Sequence, residues 1–337
     1  MSPDDPDKAK APVRLGATAA AMLTATNTKH SEKSLSRLVY ARRRTELEAP
    51  YEGVESPYDG VGRLTDEDRR RIESCSGMIG HEFLGMPPRS ARIGTNPPRL
   101  PGPEFRRLLQ FRMGLPMDRE TERGRECRCG LTGDAYGHHS VQCKHGPERK
   151  KRHNQPTRIL SLMAKRIGCG AHVEQQVHGR AQKPPKGVKN TYTADIVIDD
   201  CYGIGQQLVG DVTFAHPNNP SVYVARSEQR AVRLRAAMRA EDAKRAKVSN
   251  FLEARRAECG YVPPPEMAFV PLAVETYGAV SDEFSRLFNW LVGQWGAVHS
   301  ATPSQVAIYR HEMKYRMSMA VQLVNAEALR DCAGEGY

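Results

Sequence analysis

Two runs rich in Val and Ile, 193–199 and 207–214, flank Cys201-Tyr202-Gly203-Ile204-Gly205, and this pairing constrains the fold more than any other feature of the sequence. β-branched runs bounded by glycine read as strands, and so short a connection joins them as an antiparallel hairpin. With the turn centred on Gly203, residues equally distant from it face one another, which sets Asp195 opposite Asp211. Ile196, Val197, Ile198, Val209, Val212 and Phe214 give both strands the character of buried ones. Two carboxylates opposed in such a setting repel, so something must neutralise them. A divalent cation is one answer, because Mg²⁺ accepts one or two protein carboxylates and keeps positions for water and phosphate. The other reading is a different register, with one aspartate at an edge or serving as a cap.

The flanking pattern predicts what encloses the hairpin. A helix is expected over 154–167, a strand over 172–178, a long Ala/Arg-rich helix over 227–256, and an apolar strand over 268–276 ended by Gly278. Helices follow over 282–292 and 304–330, the last carrying Val306, Met313, Ala320 and Val324 near one face as core. This order gives an α/β fold with a mixed sheet flanked by helices.

Upstream, residues 1–64 are polar and are expected to be largely disordered, apart from a basic helical stretch over 35–47. Its Arg42, Arg43 and Arg44 form a solvated face or a nucleic-acid arm. Thr65, followed by Asp66, Glu67 and Asp68, suits a helix start, and prolines 87, 88, 97, 98, 101 and 103 mark a linker. The expected divisions are 1–64, a short helix and linker over 65–100, a metal knuckle with its preceding helix over 101–152, a core over 153–300, and a C-terminal helix and tail over 301–337. The preceding helix, 104–114, should pack against the knuckle.

Only three of the eight cysteines cluster, which argues against a disulfide scaffold and for a reducing compartment with one metal site. Cys127, Cys129, His139 and Cys143 supply three thiols and an imidazole within a small loop, the donor set of tetrahedral zinc. Gly130, Gly133 and Gly137 provide turns between the ligand pairs. His138 is the rival imidazole, and spacing does not separate the two. With four protein ligands such a metal has no open position, so its role is structural.

Charge points to a polyanionic partner. The 337 residues carry a formal net charge of +11, and nucleic acid is the leading candidate for such an excess. Lys144, Arg149, Lys150, Lys151 and Arg152 follow the knuckle and can reach phosphates, or simply form a solvated surface. Lys244 and Lys247 stand three apart on one helix face, where a lysine can balance charge on a phosphate under attack; a lysine on an Ala/Arg-rich helix can equally be only solvated. The acidic start matches neither a secretory nor an organellar presequence, and no run reaches the roughly 18 apolar residues of a membrane span. No membrane partner is expected, and the location is expected to be cytoplasmic or nuclear.

Several motifs occur together: Cys127-x-Cys129-Gly130, His139-x-x-x-Cys143, Arg152-His153-Asn154, Ala194-Asp195-Ile196, Gly210-Asp211-Val212-Thr213, Lys244-x-x-Lys247, and the run from Phe269 to Thr276. In this order they resemble the C-terminal region of non-LTR retrotransposon polyproteins, where a Cys/His knuckle precedes a restriction-like endonuclease of the PD-(D/E)xK class. The similarity covers about 101–330. It implies that Asp195 and Asp211 bind a catalytic Mg²⁺ or Mn²⁺, that Lys244 or Lys247 replaces the lysine usually found where Thr213 stands, and that Glu174 is an accessory acid. Ala194 departs from the proline that usually precedes the first acid. Family members nick target DNA so that a 3′ end primes reverse transcription of element RNA, which requires a reverse transcriptase in cis or in trans; a nuclear location follows from that role. The alternative is a noncatalytic, zinc-dependent nucleic-acid-binding remnant of such a protein. Val197-Ile198-Asp199-Asp200 is similar to the aspartate pair of a polymerase hairpin, but Val197 replaces the usual aromatic, and upstream stands a linker and a knuckle rather than fingers and palm.

Overall fold

The structure, a computed structural model, describes residues 66–84, 100–117, 127, 129–143, 148–176, 192–219, 235–259 and 267–332. The readings for 1–64, the Thr65 cap, the prolines at 87, 88, 97 and 98, and Lys144 lie outside these residues. Residues from Asp66 onward form one compact unit.

Its frame is a four-stranded mixed sheet in the order β1 (Ala171–Gln176), β2 (Thr193–Asp199), β3 (Gln207–Ala215) and β4 (Met267–Glu275). The hairpin register is the expected one: Ile196 pairs with Gly210, Val197 with Val209, Ile198 with Leu208 and Asp199 with Gln207, all equidistant from Gly203. β1 joins antiparallel to β2, and β4 lies parallel to β3 after a helical crossover. That crossover is α5 (Arg235–Cys259), preceded by α1 (Asp66–Cys75), α2 (Gly102–Met113), α3 (His138–Gln142) and α4 (Glu148–Arg166). Two helices follow β4, α6 (Asp282–Val298) and α7 (Pro303–Cys332).

Side-chain alternation along the strands explains the layers. Ile196, Ile198, Leu208 and Leu272 go into the main core with Leu160 and Met163 of α4, Phe284, Leu287 and Phe288 of α6, and Met313 and Met317 of α7. Val197 and Val209 go to the other face, where Val248, Phe251 and Leu252 of α5 cover them. Burying one such Leu or Phe contributes about 1.5–3 kcal/mol, so a sheet covered on both faces tolerates an ionisable group only where it finds partners.

Several boundaries shift. α4 begins at Glu148 rather than at 154, so the basic run is helical and the helix crosses the division expected between 152 and 153. Pro156 lies inside this helix and lacks the N–H that would reach the Arg152 carbonyl, while Thr157 Oγ1 donates to the His153 carbonyl at 2.9 Å. Pro101 and Pro103 do not continue a linker: they stand at the N-cap and in the first turn of α2, where a missing N–H costs nothing. The C-terminal helix belongs to the same packing: α4 packs along α7, and both α2 and α3 rest on it. α6 extends to Val298, with Ser281 Oγ accepting from Phe284 N at its start.

Candidate functional site

One rung beyond the Ile196–Gly210 pair stand Asp195 and Asp211. Asp211 is buried and Asp195 half-buried, and a hydrogen bond links their carboxyls. Val212 N donates to Asp195 Oδ2 at 2.6 Å, tying the first strand's acid to the second strand's backbone. From α5, Lys244 Nζ donates to Asp211 Oδ1 at 2.6 Å, and Tyr192 Oη donates to Asp211 Oδ2 at 2.9 Å. From α4, His153 Nε2 lies 2.6 Å from Asp195 Oδ2. Single ligand atoms of His153, Asp195 and Asp211 all lie within 4.8 Å of one another. Two carboxylates and an imidazole gathered so closely are a donor set that fits a divalent cation.

The electrostatics split the acids. Burial, reinforced by Asp211, pushes the Asp195 carboxyl up to about 6. Burial opposes ionisation of Asp211 too, but hydrogen bonds from Asp195 and Lys244 outweigh it and hold that carboxyl below the ordinary range. Burial disfavours the charged form of His153, yet the Asp195 carboxylate raises its basicity overall. Burial followed by the neighbouring Asp211 charge raises Tyr192, which keeps the phenol a donor.

The geometry separates the two lysines. Lys244 reaches Asp211, whereas Lys247, one turn on, is exposed and contributes nothing to the cluster. Glu174 does not join the acids. It falls between the Val173–Ile196 and Gln175–Ala194 pairs, where its φ of 55° breaks the regular pairing, and among the described residues its exposed side chain accepts from Asn154 Nδ2 at 3.5 Å. Sequence reasoning missed His153 and Tyr192. Arg152-His153-Asn154 carried a usable signal for the first, while the second has none beyond standing at the start of β2.

The second centre is the Cys/His cluster. Cys127 Sγ lies 3.6 Å from Cys143 Sγ, and Cys129 Sγ 3.3 Å from His139 Nε2. A tetrahedral zinc with sulfur ligands at ~2.3 Å has edges of about 3.8 Å between sulfurs, close to this spacing. The four donors lie within 4.8 Å of one another, so this Cys₃His set could hold a zinc ion. Local chemistry places them: Gly130 N donates to the Cys127 carbonyl at 2.8 Å, and Asp134 Oδ2 accepts from His139 N at 2.6 Å. Asp134 Oδ1 also takes the N–H groups of Tyr136 and His138, closing the start of α3. Gly137 has φ 78°, where a side chain strains the backbone, and a Cβ there would come within 2.5 Å of the Leu329 side chain of α7, which would have to move.

His138 stands outside this cluster. Its Nε2 lies 2.8 Å from Glu67 Oε1 and its Nδ1 3.0 Å from His216 Nε2, whose Nδ1 lies 2.7 Å from Thr276 Oγ1. This chain of polar groups joins α1 and the knuckle to the ends of β3 and β4. The hydrogen bond from His138 holds the Glu67 carboxyl down to about 2, and complete burial keeps His216 neutral.

The basic run divides. Arg152 is buried and donates to the Val141 carbonyl with its guanidinium near the Phe214 ring, so it braces the knuckle rather than offering charge to a phosphate. Lys151 pairs with Glu327 at 2.8 Å, and Lys150 is exposed; the Arg149 side chain lies outside the described residues. Among the described residues no helix is long and apolar enough to cross a membrane. No family model matches the chain, and no curated protein matches it in sequence.

Proposed function

We propose that this chain is a divalent-metal-dependent DNA endonuclease of the restriction-like class. What carries the reading is the convergence of Asp195, Asp211 and Lys244, two acids from one hairpin and a lysine from the crossover helix, with the lysine 2.6 Å from the second acid. Hydrolysis of a phosphodiester needs positive charge where the phosphate gains negative charge, and a base-like environment for the attacking water. Mg²⁺ held by Asp195 and Asp211 would supply Lewis acidity toward the phosphate and the water. Lys244 adds a fixed cation on the same side, Tyr192 and the Val212 N–H hold the carboxylates in place, and the two covered sheet faces keep the acids from swinging out.

Within that class, the motif order resembles the C-terminal region of a non-LTR retrotransposon protein. On that reading the Cys₃His set holds a structural zinc, and the nuclease nicks chromosomal DNA in the nucleus. The nick then primes copying of element RNA by a reverse transcriptase acting in cis or in trans. One observation favours a second reading, a noncatalytic nucleic-acid-binding remnant: Lys244, Tyr192 and His153 already give the two acids partners. Supercoiled plasmid, incubated with the full chain with and without Mg²⁺ or Mn²⁺, separates the two. Metal-dependent conversion to open circles supports the endonuclease; DNA binding with no nicking under either metal supports the remnant.

A further inference from the structure

His153 stands in the site but has no part in that chemistry. Its surroundings define the state of its ring. Glu174 Oε1 can only accept, so the Asn154 amide nitrogen 3.5 Å away points toward it, and the Asn154 oxygen is left facing His153 Nδ1 at 3.1 Å. That oxygen also only accepts, so Nδ1 carries the hydrogen. In the neutral ring the Nε2 lone pair is then directed at Asp195 Oδ2, 2.6 Å away. Two acceptors that close need a positive centre between or beside them, a proton or a metal ion. An imidazole whose far N–H is fixed by an amide or carbonyl oxygen is the arrangement found around metal-bound histidines, where it sets both tautomer and ring orientation.

We infer that His153 Nε2 is a third ligand of the Asp195–Asp211 metal site and that this nitrogen makes the site select Mn²⁺-like transition metals over Mg²⁺. The inference rests on the endonuclease reading and deepens it. Mg²⁺ prefers an all-oxygen shell, whereas imidazole adds affinity for later first-row ions. Its origin in the fold is specific: His153 lies near the start of α4, with its carbonyl bonded to the Thr157 hydroxyl beside Pro156, and it reaches an acid 42 positions away in the sequence. Asn154 and Glu174 become positioning residues for the ring, which gives the strained φ of Glu174 a role the acid itself does not have as a ligand.

The experiment uses the full chain loaded with one equivalent of zinc, so that the cysteine cluster is filled, and titrated with Mn²⁺. Electron spin-echo modulation of the bound Mn²⁺ should show coupling to a ¹⁴N nucleus, and Asp211→Asn should abolish high-affinity Mn²⁺ binding. His153→Ala should remove the ¹⁴N coupling and weaken Mn²⁺ by about tenfold or more, leaving Mg²⁺ affinity within about threefold. The coupling itself is read on the parent protein, and the circular dichroism spectrum of Asp211→Asn is matched to the parent's so that its loss of Mn²⁺ is not a loss of fold. Mn²⁺ bound in an Asp211-dependent manner without nitrogen coupling overturns this inference and leaves the endonuclease reading standing. No Asp211-dependent Mn²⁺ or Mg²⁺ binding at all overturns both.

Discussion

Replacing Asp195 by Asn should stabilise the protein when the site lacks Mg²⁺ and Mn²⁺, and only at neutral or alkaline pH. The parent carries a carboxyl whose value rises from 3.8 to about 6 on folding, chiefly through burial. One pKa unit is about 1.4 kcal/mol, so ionised Asp195 costs the folded state about 3 kcal/mol. A group raised in this way binds its proton more tightly folded than unfolded. The parent therefore loses stability as pH climbs from near 4 through about 6, and regains about 2 kcal/mol between pH 8 and pH 4.5. Asn keeps an oxygen for the Val212 N–H and falls about 1 kcal/mol short of the protonated carboxyl it mimics, whose O–H donates to Asp211 more strongly than an amide N–H does. The net expectation at pH 8 is a variant more stable by about 2 kcal/mol, with the advantage close to zero at pH 4.5. Urea unfolding of zinc-loaded protein at the two pH values measures this. A variant no more stable than the parent at pH 8, or an advantage unchanged at pH 4.5, refutes the assignment of Asp195 as a half-buried carboxyl whose ionisation costs stability.

Four further outcomes follow from the same geometry. Metal analysis should find about one equivalent of zinc in the parent and none in Cys143→Ser, which should also unfold the segment around α3, because binding energy in such a cluster is largely folding energy. Lys244→Ala should slow nicking by about 10² or more while Lys247→Ala slows it little, since only the first reaches Asp211; equal losses would mean the salt link is not part of the chemistry. Removing the charges of Lys150 and Lys151 together should lower the slope of log affinity against log salt by up to about 1.8, about 0.9 for each phosphate no longer neutralised; an unchanged slope would make them a solvated surface. Arg152→Ala, by contrast, should lower thermal stability because it leaves the Val141 carbonyl without its donor, with DNA affinity changing only as far as the fold does.

The hairpin was legible because every cue agreed: alternating β-branched residues, a glycine-bearing turn, and a symmetric placement of the two acids about Gly203. The Cys₃His set was legible because its donors are local, although choosing His139 over His138 required the hydrogen bonds of His138 with Glu67 and His216, residues far away in sequence. Lys244 and Lys247 share a helix face and cannot be told apart by spacing; only the packing of α5 against β3 brings one of them to Asp211. His153 was not placed for the same reason: Arg152-His153-Asn154 stood out as a motif, but nothing along the chain says that the start of α4 meets the middle of the sheet. Arg152 misled because a run of basic residues reads as surface, while a helix beginning at Glu148 turns one of them inward.

Nicking of supercoiled plasmid by the parent and by Asp211→Asn, with DNA affinity measured on the same preparations, tests the central claim most directly. The account predicts divalent-metal-dependent nicking by the parent, a loss of several decades in rate for the variant, and DNA affinity almost unchanged, because the acid serves the chemistry and not the grip on DNA. Parental nicking rates in the Asp211→Asn protein would contradict it.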